Sequence, residues 1–227
     1  MEPLSVAGIR LGTACASIKY PDRRDLVIIE ATAGTRAAAV FTQNAFCAAP
    51  VMVAREHLNQ STPRYLVINT GNANAGTGVK GVADAETTCR ALAEYVGCRP
   101  EEVLPFSTGV IGEPLPLERL VAGLPAALAA LRPDGWMEAA HGIMTTDTRP
   151  KWASRRLNLS GRDITVTGIA KGAGMICPNM ATMLAFVATD AVTDQALLWQ
   201  AINEAVAYSF NAITVDGDTS TDRKSVV

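Results

Sequence analysis

The stretch GIAKGAGMICPNMATMLAFVATDA, residues 168–191, runs from a glycine-punctuated loop carrying Lys171, through Pro178-Asn179-Met180-Ala181-Thr182, into an apolar segment. Gly172 and Gly174 tolerate positive φ or close backbone approach, while Pro178 fixes its own φ and biases Cys177 toward extended geometry. These residues predict a shaped loop, not a helix. MLAFVA, residues 183–188, is a short continuous apolar run, the pattern of a strand buried on both faces. Thr182 thus places a hydroxyl at the mouth of a buried strand, where it is held rigidly.

Working outward, LVII (26–29), residues 37–41, VMV (51–53) and RYLVI (64–68) read as strands, so the first part of the chain is β-rich. The last of these runs ends in NTGNANAG (69–76), whose small amides and glycines favour turns; a surface loop with self-capping asparagines and a functional loop are equally consistent with it. Ala85, Cys89, Leu92 and Val96 recur at helical spacing, as do Leu117, Leu120, Leu124, Leu128 and Leu131, with Pro125 inside the second helix. Between them LPFSTGVIG (104–112) is strand-like and opened by glycines, where backbone N–H groups can face a ligand. Asp134 is placed to cap a short helix reaching His141, and Ile164 and Val166 alternate as a strand leading into the 168–191 stretch. A helix over about 194–208, capped by Thr193 or Asp194, follows. No repeat or low-complexity linker interrupts this order, which predicts one α/β domain over residues 1–227.

Composition sets the outer bounds. A net charge of −2 with scattered basic residues carries no electrostatic footprint for nucleic acid or an anionic membrane, and neither partner is expected. No apolar stretch reaches the roughly 18 residues of a membrane-spanning helix, and the N-terminus has no signal-peptide core, so a cytoplasmic location is expected. Five cysteines without C-x-x-C spacing argue against a disulfide framework and a zinc site; no metal is expected. His57 and His141 are the only imidazoles, so chemistry at neutral pH has few conventional bases.

The familiar catalytic signatures fail one by one. In KGAGM the lysine precedes the glycines, against the phosphate-loop order; DGDTSTD (216–222) lacks the calcium-loop glycine and distal glutamate; G-x-S-x-G and H-E-x-x-H are absent. MTTDTRPK (144–151) stacks hydroxyls beside Asp147, an arrangement suited to a polar ligand but more commonly an ST- or Asx-turn. A threonine after a small residue has one further route to reactivity. If the bond before Thr182 is cut, its new α-amino group, of unperturbed pKa roughly 7.7–8.0, can serve as base for the hydroxyl. The residues alone leave Thr182 open between that role and a hydroxyl bonded to backbone.

KGAGMICPNMATML (171–184) closely resembles the cleavage-site signature of the ornithine acetyltransferase family of arginine biosynthesis, the bifunctional glutamate N-acetyltransferases. NTGNANAGTG (69–78), STGVIGEPLP (107–116), MTTDTRPK (144–151) and ITVDGDTST (213–221) are similar to further blocks of that family, in the family's order. The resemblance implies an N-terminal-nucleophile-like layered α/β fold of the ornithine acetyltransferase/aminopeptidase type. It implies self-cleavage between Ala181 and Thr182 into an α chain (1–181) and a β chain (182–227), assembling as two α and two β. Thr182 becomes the nucleophile, Thr108 and Gly109 the oxyanion-stabilising pair, and Thr145, Lys171 and Thr182 the substrate contacts. The implied reaction moves acetyl from N2-acetylornithine to glutamate through an acetyl-threonine, without a cofactor; acetyl-CoA, accepted as donor by some members, stays open here. The implied alternatives are an N-terminal-nucleophile aminopeptidase or hydrolase and an inactive truncated member.

Two departures accompany the resemblance. Ala212 stands where the family usually has Arg, and after DGDTST the usual Asn-Asp continuation is replaced by Asp222-Arg223-Lys224 before Val227. Family members continue well beyond that block, so the resemblance implies a C-terminally incomplete member.

Overall fold

A computed structural model describes residues 2–42, 44, 46–174 and 183–213, together with the backbone of 224–226. Two sheets pack face to face, with helices on the outer face of the first, between the sheets and against the second. The first has the order β1 (Ile9–Ala14), β2 (Leu26–Ala31), β4 (Tyr65–Asn72), β5 (Val103–Val110). The second has the order β3 (Ala39–Phe41), β9 (Lys224–Val226), β8 (Leu184–Thr189), β7 (Arg162–Lys171), β6 (Lys151–Leu159). In the first sheet β4 and β5 run parallel, while β1, β2 and β4 pair antiparallel.

The runs LVII and YLVI are continuous because the first sheet is buried on both faces. Val27, Ile29, Leu66, Ile68, Leu104 and Phe106 point into a core shared with the second sheet. There Phe106 meets Phe186 of β8 edge to face, with ring centroids 4.9 Å apart. Leu26, Ile28, Tyr65, Val67 and Val103 point the other way, onto α2 (Gly78–Val96) and α3 (Leu117–Ala129). Those helices answer with Ala85, Cys89 and Leu92 and with Leu120, Leu124 and Ala127, the expected 3.6-residue stripes. Pro125 lies inside α3. The short helix α4 (Trp136–Gly142) fills the space between the sheets with Trp136, Ala139 and Ala140. The last helix, α5 (Gln195–Ala207), is capped by Asp194, which accepts from Leu197 N–H at 2.7 Å, and packs Leu198, Ile202 and Val206 against Ala38.

Three expectations change. Residues 51–53 are not a strand but part of α1 (Ala49–Gln60): Pro50 opens the helix, and Val51, Val53, Ala54 and His57 form its buried side. Of the two readings open for 69–76, the surface loop is excluded: β4 continues through Asn72, and Asn69, Asn72 and Asn74 are all buried. Gly135, not Asp134, occupies the cap position of α4, and Asp134 instead meets Arg132 at 3.3 Å. The edge strands β1 and β6 add to the elements expected. The strand expected over 183–188 is β8, with Met183, Leu184, Ala185 and Phe186 buried.

Candidate active site

The C-terminal ends of β4 and β5 lie side by side, Thr70 opposite Thr108 and Gly71 opposite Gly109, with the register shifting at Gly71 and Asn72. Gly109 has φ 142°, and a Cβ there would meet the carbonyl carbon of Gly71 at 2.3 Å. Only glycine allows the two strand ends to approach this closely. Neutral amides pin them. Ser107 Oγ donates to Asn69 Oδ1 at 2.6 Å, Asn69 Nδ2 donates to the Asn72 carbonyl at 2.9 Å, and Asn72 Oδ1 accepts from Asn74 N–H at 2.8 Å. Asn74 Nδ2 in turn donates to the Gly81 carbonyl at 2.8 Å, tying the strand end to α2. Buried amides that exchange all these bonds rigidify what they hold.

From the second sheet, β7 brings Lys171 to the same place. Its ammonium, on a side chain only 3% exposed, donates to Thr108 Oγ1 at 2.8 Å. The strands on either side of residues 172–183 are in register, Lys171 opposite Leu184. Ala181 and Thr182, the expected cleavage site and nucleophile, lie outside the described residues. Thr108, Gly109, Thr145 and Lys171 share one cleft of about 430 Å³, so the described candidates from three separate segments do come together. An apolar cavity of about 450 Å³ beside Ile29, Leu66 and Phe186 contains none of them.

Thr145 lies in the connection between α4 and β6, and Asp147 organises that connection. The Asp147 carboxylate accepts from Gly172 N–H at 2.8 Å and Thr145 N–H at 3.3 Å, and is paired with Lys151. Burial would raise the Asp147 carboxyl, but the Lys151 ammonium and the two amides hold it below the usual carboxylate range. Asp147 thus ties the loop bearing Thr145 to the strand end bearing Lys171. Arg23 braces the same loop through the carbonyls of Met144 at 2.6 Å and Thr145 at 3.2 Å. Neither Asp147 nor Arg23 stands out in the sequence as a site residue; the hydroxyl-rich setting of Asp147 was its only signal.

Neither histidine lines the cleft: His57 is buried against the Val103 carbonyl at 2.8 Å, and His141 bonds the Met137 carbonyl within α4. Among the described residues no group of three or more His, Cys, Asp or Glu side chains could hold a metal ion, and no helix is long and apolar enough to cross a membrane.

Comparison with known proteins places this architecture. The model of the ArgJ family matches residues 10–227. The arginine biosynthesis bifunctional protein ArgJ of Methylococcus capsulatus is 62% identical over 222 residues, covering 98% of this chain and 54% of that protein. The chain therefore spans about half the length of that curated relative. The crystal structure of ornithine acetyltransferase from Mycobacterium tuberculosis, complexed with ornithine, superposes with a TM-score of 0.70 at 38% identity, over 76% of this chain and 92% of that one. An L-aminopeptidase D-Ala-esterase/amidase from Ochrobactrum anthropi, described as a variant of the Ntn hydrolase fold, matches with a TM-score of 0.57 at 14% identity, over 100% of this chain and 75% of that one. At that identity the likeness concerns the fold alone, and it agrees with the layered α/β arrangement.

Proposed function

The chain belongs to the ArgJ family, and from that premise we propose that it transfers acetyl from N2-acetylornithine to glutamate through an ester on Thr182. The observation that carries this reading is the buried contact of Lys171 with the Thr108 hydroxyl, inside a cleft bounded by Gly109 and Thr145. The Lys171 ammonium has only donors, so its bond must use an oxygen lone pair of Thr108. That leaves the hydroxyl proton of Thr108 to be donated into the cleft, and the adjacent positive charge strengthens it as a donor. Together with the Gly109 N–H it stabilises an oxyanion, a role worth roughly 2.7–4 kcal/mol per donor.

In this scheme the chain first cuts itself between Ala181 and Thr182, giving residues 1–181 as α chain and a β chain beginning at Thr182, assembled as two α and two β. The freed α-amino group of Thr182 takes the proton of its own hydroxyl, a task that neither histidine is placed to perform. Oγ attacks the acetyl carbonyl of the donor. The tetrahedral intermediate collapses with breakage of the C–N bond, and ornithine leaves with the proton. The amine of glutamate then attacks the ester, the C–O bond breaks, and the proton returns to Oγ. Lys171 and Thr145 hold the carboxylate and polar groups of both amino acids. No cofactor takes part; acetyl-CoA is an additional donor to be assayed, and the cytoplasm is the expected compartment.

A denaturing gel with N-terminal sequencing tests the reading directly. A fragment beginning at Thr182 is expected, and Thr182→Ala should abolish both cleavage and transfer. Acetyl transfer retained by Thr182→Ala would sink the nucleophile assignment, and acetate released without an acceptor would identify a hydrolase instead.

A further inference from the structure

The cleft has a second wall that the transfer scheme leaves unused, the loop over residues 15–20. Its backbone is fixed at three points. Ala16 N–H and Ile18 N–H each donate at 2.6 Å to the buried carboxylate of Asp25, and the Arg119 guanidinium donates to the Ser17 carbonyl at 2.9 Å. Ser17 adopts φ 54°, a left-handed turn that redirects the chain toward the cleft. Lys19 follows, and its stem lies against Gly71 so closely that a Cβ on Gly71 would stand 2.8 Å from the Lys19 Cβ. Gly71 is paired with Gly109, so Lys19 is seated on the strand ends that form the oxyanion floor.

Charge completes the argument. The described lining of the cleft contains three cations, Lys19, Arg23 and Lys171, and no carboxylate. Arg23 is committed to the Met144 and Thr145 carbonyls, and Lys171 serves Thr108. The Lys19 side chain is exposed and meets no hydrogen-bond or ion-pair partner among the described residues. The donor and acceptor of the proposed transfer share an α-carboxylate and differ at the far end, which is an ammonium in N2-acetylornithine and a carboxylate in glutamate.

We propose that Lys19 is a specificity-determining residue: its ammonium receives the side-chain carboxylate of the dicarboxylic acceptor and disfavours the side-chain ammonium of the donor. The assignment rests on the transfer reading above. Fixing the loop through Asp25 and Ser17 limits the entropy lost when the long lysine side chain is ordered on the acceptor. A lysine suits the task because a compact point charge on a flexible stem can follow a carboxylate that has no fixed orientation.

The test compares the parent chain with Lys19→Met and Lys19→Arg under steady-state conditions for both substrates. In Lys19→Met the ratio of kcat/KM for glutamate to that for N2-acetylornithine should fall by roughly tenfold or more, the scale of one partly solvated charge pair. Lys19→Arg should keep the ratio within about threefold, since the charge is retained. An unchanged ratio in Lys19→Met, or an equal loss for both substrates, overturns the proposal. Calorimetric titration of glutamate into the same proteins reads the contact without turnover: affinity should fall roughly tenfold in Lys19→Met, and equal affinity also overturns it. No transfer by the parent together with Lys19-dependent glutamate binding sinks the transfer reading and leaves the contact standing. Transfer by the parent with an unmoved ratio sinks only the role of Lys19.

Discussion

Asp25 and Asp147 each stand behind a segment that lines the cleft, and each accepts two backbone N–H groups from the residues it positions. Asp25 holds Ala16 and Ile18 of the loop that presents Lys19; Asp147 holds Thr145 and Gly172, from two separate segments. Both are buried, at 3% and 8% exposure. Burial pushes the Asp25 carboxyl above its usual range in spite of the Ala16 and Ile18 amides and nearby Arg23. Burial pushes Asp147 in the same direction, yet Lys151 and the two amides bring it below that range. Two amides are common to both sites, so the direction is decided by the ammonium bonded to one carboxylate and not to the other.

The greatest loss should follow from disturbing the strand ends that both anchored segments adjoin. Gly109→Ala places a Cβ at 2.3 Å from the Gly71 carbonyl carbon, 2.5 Å from Asn72 N, and demands φ 142° of an L residue. The obstacle is backbone on the paired strand, so no side chain can swing away. Backbone strain and overpacking together should cost about 3–5 kcal/mol. Urea unfolding should show a correspondingly lower midpoint, and a loss below about 1 kcal/mol would mean that the strand ends are less rigid than described.

A second, smaller effect uses pH. The Asp147 carboxyl is depressed in the fold, so its contribution is present above the unfolded value of about 3.9 and is lost as pH falls through the folded value. Asp25 is raised, so its contribution is present below about 3.9 and is lost as pH rises through its folded value. The stability difference between parent and Asp147→Asn should therefore shrink on acidification, and that between parent and Asp25→Asn should shrink as pH rises from about 4. Thermal or urea unfolding between pH 3 and 7 measures both slopes; slopes of the same sign would remove the contrast between the two anchors.

The division between what was legible in the sequence and what was not follows the same physics. β2 and β4 were readable because burial on two faces leaves an uninterrupted apolar run, and α2, α3 and α5 because burial on one face leaves a stripe. The strand β6, KWASRRLNL, is mostly exposed and exists because it pairs with β7 over its whole length, a cause no local pattern records. VMV at 51–53 carries strand-forming valines, but Pro50 and the side that packs on the first sheet make it helix. For the amides at 69–76, composition cannot tell an asparagine bonded to water from one bonded to a buried strand end. Thr108 and Lys171, 63 positions apart, meet only because strands of two different sheets end at one place. Their assignment came from family resemblance, and no spacing rule would have paired them. Lys19 and Asp25 carry no motif; their part in the site is set by a loop that only the fold explains.

The substitution with the least cost in stability converts one anchor into the other. Lys151→Met removes the ammonium from Asp147 and leaves the Thr145 and Gly172 amides in place. The Lys151 side chain is 42% exposed, so solvent already screens the pair and the loss of stability should stay within about 1 kcal/mol. The ionisation of Asp147 should nevertheless change direction. With burial opposed only by two amides, its carboxyl should rise above the usual range, as that of Asp25 does. The acid-side loss of stability expected of the parent should then flatten, because a carboxyl that is no longer depressed has no contribution to lose as pH falls. Titration of the side-chain carboxyl carbon of Asp147 by NMR, in parent and variant, reads this directly. If Asp147 stays below the usual range in Lys151→Met, two amides suffice to offset burial at this site, and the Lys151 ammonium is not what separates the two anchors.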